Sequence, residues 1–267
     1  MNPADYLQAL GTMAVLAVAT WLVSLFKRDV SVVDSVWSVM IWAGGLSYAA
    51  SAAELGTRSA LILVLLTLWA VRLSAHLTWR NWGEDEDRRY RDIRARWSPH
   101  FGLKSLGIIF GLQAVLAWIV SLPLWPALVS AGPVTPWDAL AAALVGAGLC
   151  CEAVADWQLA RFKADPANAG KVMDHGLWRF SRHPNYFGEA LLWWGFYLFA
   201  LAVGAWWTLP APILMTWLLL RVSGVVMLES TITERRPAYR EYIATTNAFI
   251  PGPPRRGGAE RARGPSA

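Results

Sequence analysis

An all-α, polytopic membrane fold with about seven transmembrane helices follows from three features of this 267-residue chain. Hydrophobic residues make up 55% of it and gather in long runs without charge. Basic residues collect in alternate loops. The number of runs and the side to which the basic loops belong agree with each other.

The charge-free runs are 6–26, 35–53, 59–71, 105–137, 139–151, 190–220 and 222–228. Runs near 20 residues match the thickness of a bilayer core, and longer ones must be divided. The first predicted helix, 6–26, ends at Lys27-Arg28. It lacks a short apolar core followed by a small-residue cleavage site, so it reads as a retained span. The second, 32–52, opens on Asp34. The third covers 59–80, the fourth 105–125 and the fifth 137–157. Pro184 suits the first turn of a helix and starts the sixth, 184–205. Gly204 and the Trp206-Trp207 pair separate it from a seventh, 207–229, although one long re-entrant hairpin would fit the same stretch.

Charge sets the orientation. Seven Lys or Arg residues lie between Arg80 and Lys104, five between 158 and 183, and seven beyond 230. The alternate loops carry only Arg58. Basic loops stay cytoplasmic, which places the N-terminus outside and the C-terminus inside. Seven spans require the same parity. The expected organisation is one helical domain over 1–251 and a disordered basic tail over 252–267, in an integral membrane protein of the bacterial inner membrane. The net charge of +5 then reflects loops facing the cytoplasm and anionic membrane lipid, so no nucleic-acid partner is expected. Cys150 and Cys151 read as buried thiols, and no metal site is suggested.

Ionisable groups inside membrane helices are costly and usually functional. Asp34 shares a face with Trp37. Arg72, His76 and Arg80 are four apart and form one stripe of the third helix. Arg80 can reach the interface, whereas Arg72 needs a carboxylate or a ligand anion, with Asp34 one candidate. Glu152 and Asp156 share a face of the fifth helix. The charged loop 83–97 reads either as a solvated face or as a lid built on Glu86, Asp87, Arg89 and Tyr90.

The richest stretch is GLWRFSRHPNYFGEALLWWG, 176–195. Arg179, Arg182 and His183 stand directly before a helix whose free N–H groups carry partial positive charge, an arrangement suited to phosphate. Asn185, Glu189 and Trp193 form a polar-to-aromatic stripe descending from that point. Tyr186 lies in the same turn. In the tail, Arg235, Arg236, Tyr239, Tyr242 and Asn247 add further polar groups. The pattern suggests a phosphate-bearing cofactor at the cytoplasmic rim and a lipid-soluble substrate entering from the bilayer.

GLWRFSRHPNYFGE, preceded by EAVADWQLARFK (152–163) and followed by YREYIATTNAFIP (239–251), resembles the DUF1295 branch of the steroid 5-alpha-reductase superfamily. VVDSVWS (32–38) and EDRRY (86–90) are similar to that branch too. The resemblance implies a seven-helix enzyme that uses NADPH to reduce an activated carbon–carbon double bond. It implies cofactor contacts at Asp156, Lys163, Arg179, Asn185, Glu189, Trp193 and Tyr242, to which the physical reading adds Arg182, His183, Tyr186 and Arg235. The Gln-Glu pair and the Tyr that hold an enone oxygen in steroid-reducing members are absent here. Asp34, Arg72 and His76 are the candidates for polarising a different carbonyl. RHPxYxG with a downstream ExxY and an aromatic-Ile-Pro also resembles the isoprenylcysteine carboxyl methyltransferase group, whose cofactor is S-adenosylmethionine. A non-catalytic lipid-binding role, with the clustered charges serving as structural ion pairs, is the third expectation.

Overall fold

The computed structural model describes residues 2–222, 229, 232–235 and 237–255. Among them every regular element is helical. We number the helices α1 (Pro3–Lys27), α2 (Val32–Ala50), α3 (Thr57–Arg80), α4 (Arg88–Arg96), α5 (Phe101–Val120), α6 (Leu124–Val129), α7 (Pro136–Ala164), α8 (Pro184–Ala202), α9 (Pro210–Trp217), α10 (Ile232–Arg235) and α11 (Tyr239–Thr245). A π-helical stretch, Leu106–Gly111, lies within α5, and another, Leu218–Val222, extends α9. The expected seventh helix, 207–229, is thus described as far as Val222 and again at Glu229.

Four helices are long and apolar enough to cross a membrane: α1, α3, α5 and α7. Only 22–33% of each apolar window is buried, so most of it faces outward. Val15, Phe26, Val64, Leu68, Val71 and Leu112 are among the exposed side chains. Such surface suits lipid rather than water, and the chain is an integral membrane protein. Helices α2 and α8 have 19 residues each, but Ser, Gly, Trp, Asn and Glu dilute their hydropathy.

The described residues form two compact units. The first comprises residues 1–142 and 196–211. Asn2 caps α1 by accepting from the Ala4 amide at 3.1 Å, and Pro3 occupies the first turn. Close packing against α2 is permitted by Gly44 and Gly45: an added Cβ would lie 2.1 Å from Met13 Cε and 2.5 Å from Leu66 Cδ2. Ser38 Oγ donates to the Ala70 carbonyl and Trp42 Nε1 to Thr67 Oγ1, fastening α2 to α3. At one end Arg58, 3% exposed, meets the fully buried Asp138 in a bidentate pair at 2.6 and 2.9 Å. The second Asp138 oxygen also accepts from the Thr135 amide and hydroxyl, so the buried charges are hydrogen-bonded as well as paired.

The second unit comprises residues 143–195 and 212–267. Its axis is the crossing of α7 and α8 at Gly148 and Gly188. A Cβ on Gly188 would lie 2.7 Å from both the Glu152 amide nitrogen and the Gly148 carbonyl. Backbone meets backbone there, as small residues allow in membrane helices. Beyond α7, Trp178 packs on Ala155 and Met173, and its Nε1 donates to the Ala155 carbonyl at 3.0 Å. The C-terminal segment wraps this turn: the amides of Arg182 and Gly252 donate to Asn247 and Phe180, and Ser181 Oγ donates to Phe249. The expected tail boundary at 252 therefore lies beyond the start of a bound strap, whose Arg255 amide donates to Thr245 at 2.7 Å. Residues 256–267 of the tail lie outside the described residues.

Candidate functional site

In the second unit the sequence gathers its polar side chains at the start of α8. The α7–α8 crossing brings Asp156 opposite Asn185, whose Nδ2 donates to Asp156 Oδ1 at 3.0 Å. One turn deeper, Trp193 Nε1 donates to Glu189 Oε1 at 3.0 Å. Glu152, Asp156, Glu189 and Trp193 are all buried. Carboxylates withdrawn from water between two apolar helices need hydrogen-bonding company, and Asn185 and Trp193 supply part of it.

The approach to α8 is rigidly braced. Arg182, 8% exposed, places Nε and Nη2 on the two Glu229 oxygens at 2.7 and 2.9 Å. Its Nη1 donates to the carbonyls of Ile243 and Thr246. Four of a guanidinium's five donors are thus used within the protein. His183 adds a 3.0 Å contact from Nε2 to Glu229, and its ring stacks on Tyr186 with a 7° interplanar angle. Tyr242 donates its hydroxyl to the carbonyls of Trp178 and Ser181. Burial keeps the Tyr242 hydroxyl protonated and pushes the neighbouring Tyr239 up to about 12.

Arg179 behaves differently. It is exposed and lines a cavity of about 640 Å³ together with Lys171, His175, Tyr242 and Thr246. Asp174 and Glu241 also contribute to the rim, so the cations lie in a mixed field. A volume of this order takes a small molecule or one end of a larger one.

The first unit holds the other candidate cluster. Asp34, at the start of α2, accepts from Arg89 Nη2 at 2.8 Å and from the Tyr90 hydroxyl at 2.6 Å. The carboxylate therefore goes to the charged loop, where the spacing had offered Arg72. Helix α4 begins at the N-cap Asp87, which accepts from the Arg89 amide. Glu86 accepts from the Val30 amide and from Nε and Nη2 of Arg94. Burial raises the Glu86 pKa, but its bonds from Arg94 and Val30 outweigh that and hold it below the usual range. For Arg89, burial acts downward and is overcome by Asp87 and Asp34, leaving a permanently charged clamp. The loop expected as either solvated face or lid is a short helix pinned to the start of α2.

A protein-family model described as "Protein of unknown function (DUF1295)" matches residues 20–246. The chain belongs to the DUF1295 family. Among curated proteins, an uncharacterized protein of Schizosaccharomyces pombe is 26% identical over 273 residues, covering 89% of this chain and 77% of that protein. No solved structure matches.

Of the expected site residues, this DUF1295 chain brings Asp156 together with Asn185, Glu189 with Trp193, and Arg182 with His183. Lys163 is exposed near the end of α7. Arg72 and His76 are half-buried on α3, the His76 ring 6.2 Å from Trp79. Arg235 closes α10, and its side chain, like all of Arg236, lies outside the described residues. Among the described residues no group of three or more His, Cys, Asp or Glu is arranged to hold a metal. Sequence reasoning missed Glu229, the anchor for Arg182 and His183, and missed Lys171 and His175 on the cavity wall. A lone acid directly after the apolar run 222–228 was the available signal for Glu229.

Proposed function

We propose that this chain is a membrane-embedded, NADPH-dependent reductase of a carbon–carbon double bond in a lipid-soluble substrate. The observation that carries the reading is the paired polar side chains between apolar helices where α8 begins: half-buried Asn185 on buried Asp156, and buried Trp193 on buried Glu189. Amide, carboxylate and indole at successive turns suit the polar and flat parts of a nucleotide cofactor. The donor set of the larger cavity fits its phosphates: Arg179 and Lys171 present cations, and Arg182 acts as the strut that fixes the turn. When bound, NADPH supplies a hydride for the electron-poor carbon of a polarised double bond. On the substrate side Arg72 and His76 are the donors proposed to polarise the conjugated oxygen, while Asp34, whose two oxygens accept from Arg89 and Tyr90, serves as a fixed carboxylate rather than as a donor. The finer membrane reading is part of this proposal: seven spans, N-terminus outside and C-terminus cytoplasmic, in a bacterial inner membrane.

A second reading, an S-adenosylmethionine-dependent methyltransferase, is favoured by one observation. The Glu229 pair removes Arg182 from the phosphate-binding set and weakens the case for a phosphorylated cofactor. Thermal unfolding of the detergent-purified protein with NADPH, NADH and S-adenosylmethionine separates the two. NADPH is expected to stabilise it selectively, and Arg179→Ala to weaken NADPH roughly tenfold or more while barely affecting NADH. Stabilisation by S-adenosylmethionine alone would install the methyltransferase reading in its place.

A further inference from the structure

The outward face of α7 ends in a feature that the cofactor reading does not use. Ala143, Ala147, Cys150, Val154, Trp157 and Arg161 are all exposed, Cys150 in contrast to the buried thiol expected from sequence. Their spacing alternates between three and four residues, so they form one stripe along the helix. The stripe is free of charge until Arg161. In a membrane-crossing helix, a Trp followed one turn later by an Arg sits at the level of the lipid headgroups. The Arg161 guanidinium lies over the Trp157 ring, 5.6 Å from its centroid, and this indole is 58% exposed.

Arg161 and Trp157 also border a cavity of about 360 Å³. Gln158 forms another part of its wall. Its Oε1 accepts from the Leu177 amide at 3.0 Å, which leaves the Nε2 hydrogens as donors. This arrangement depends on Gly176, whose φ is +60° and whose added Cβ would lie 2.5 Å from Gln158 Nε2. His175 leans on Phe162 with ring centroids 5.7 Å apart. The one carboxylate in the wall, Asp165, already accepts from the Ala167 amide through Oδ1. Phe162, Asn168 and His175 are shared with the larger cavity, but Trp157, Gln158 and Arg161 belong to this one.

We propose that this cavity holds the phosphate headgroup of an anionic glycerophospholipid, with an acyl chain lying along the exposed stripe of α7. A guanidinium and an amide supply directional donors to a phosphodiester, and the stacked indole fixes the guanidinium at the interface. Juxtamembrane arginines also gain from the negative surface potential of an anionic leaflet. The occupant is thus matched at both ends, by charge complementarity at Arg161 and by apolar continuity from Trp157 to Ala143.

The test is thermal unfolding of the full chain in a neutral detergent, titrated with dioleoylphosphatidylglycerol, dioleoylphosphatidylcholine or inorganic phosphate. Phosphatidylglycerol is expected to raise the midpoint on the order of 5 °C at saturation, well above phosphatidylcholine. Arg161→Gln, on an exposed side chain, should weaken the phosphatidylglycerol response about fivefold and leave the response to NADPH unchanged. Equal shifts from the two lipids, or an undiminished shift in R161Q, would overturn the proposal. A matching shift from inorganic phosphate would assign the cavity to a free anion instead. Because the lipid and phosphate arms do not require NADPH to bind, failure here and failure of the reductase reading are distinguishable.

Discussion

Arg182 and Arg179 are three residues apart, equal in charge, and opposite in circumstance. Arg179 is exposed on a cavity, whereas Arg182 is locked against Glu229 and two carbonyls. Removing one partner of a mostly buried pair leaves the other charge desolvated without compensation. Arg182→Ala is therefore expected to cost about 3 kcal/mol and to lower the unfolding midpoint in detergent by several degrees, while Arg179→Ala leaves it nearly unchanged. Equal stability of the two variants would remove Arg182 from its bracing role. The sequence placed both arginines correctly before α8 but could not separate them. Local pattern records which residues neighbour each other along the chain, and Glu229 lies 47 positions from Arg182. Lys171 and His175 escaped for a related reason: they lie in an irregular segment with no period to read.

Helices were more legible than their partnerships. Prolines at 136, 184 and 210 each stand at the first residue of a helix, where the missing N–H is harmless. Expected starts at 137 and 184 agree with them. Helix α4 was hidden because its stripe is charged rather than apolar, and it is held by the Arg89–Asp34 and Arg94–Glu86 ion pairs and by an Arg94 hydrogen bond to the Arg28 carbonyl. Gly148 looks like a dilution of an apolar run, and Gly188 like part of the polar start of α8, until the helices are seen to cross there. Gly188→Ala would press a methyl group against two backbone atoms that cannot rotate away. Spreading the helices should cost about 1–3 kcal/mol and pull Asn185 from Asp156, so NADPH-induced stabilisation should fall with it. Gly146→Ala is the matched control: its added Cβ meets nothing within 4 Å, and it should be neutral or slightly stabilising. Comparable damage from both substitutions, measured by thermal unfolding with and without NADPH, would mean that the close crossing does not hold the site together.

Across the full chain, the proposed orientation rests on where positive charge is free to act. Fourteen of the 24 Lys and Arg residues fall in the two stretches Arg80–Lys104 and 230–267. On the opposite side the predicted loops carry Arg58 alone, and the structure withdraws even that one. Arg58 is 3% exposed and neutralised by Asp138, with its Nη2 also on the Pro133 carbonyl. In the proposed topology the charge bias therefore rests on the basic stretches rather than on Arg58. The expected outcome is that alkaline phosphatase fused after Pro133 is active, whereas the same reporter fused after Thr246 is inactive and a fluorescent protein there folds. Arg58→Ala should leave both readings unchanged although it destabilises the fold, because its role is to satisfy Asp138 rather than to anchor a loop. The opposite reporter pattern would place the Arg179 cavity outside the cell, away from reduced nucleotide, and the reductase proposal would fall with the topology.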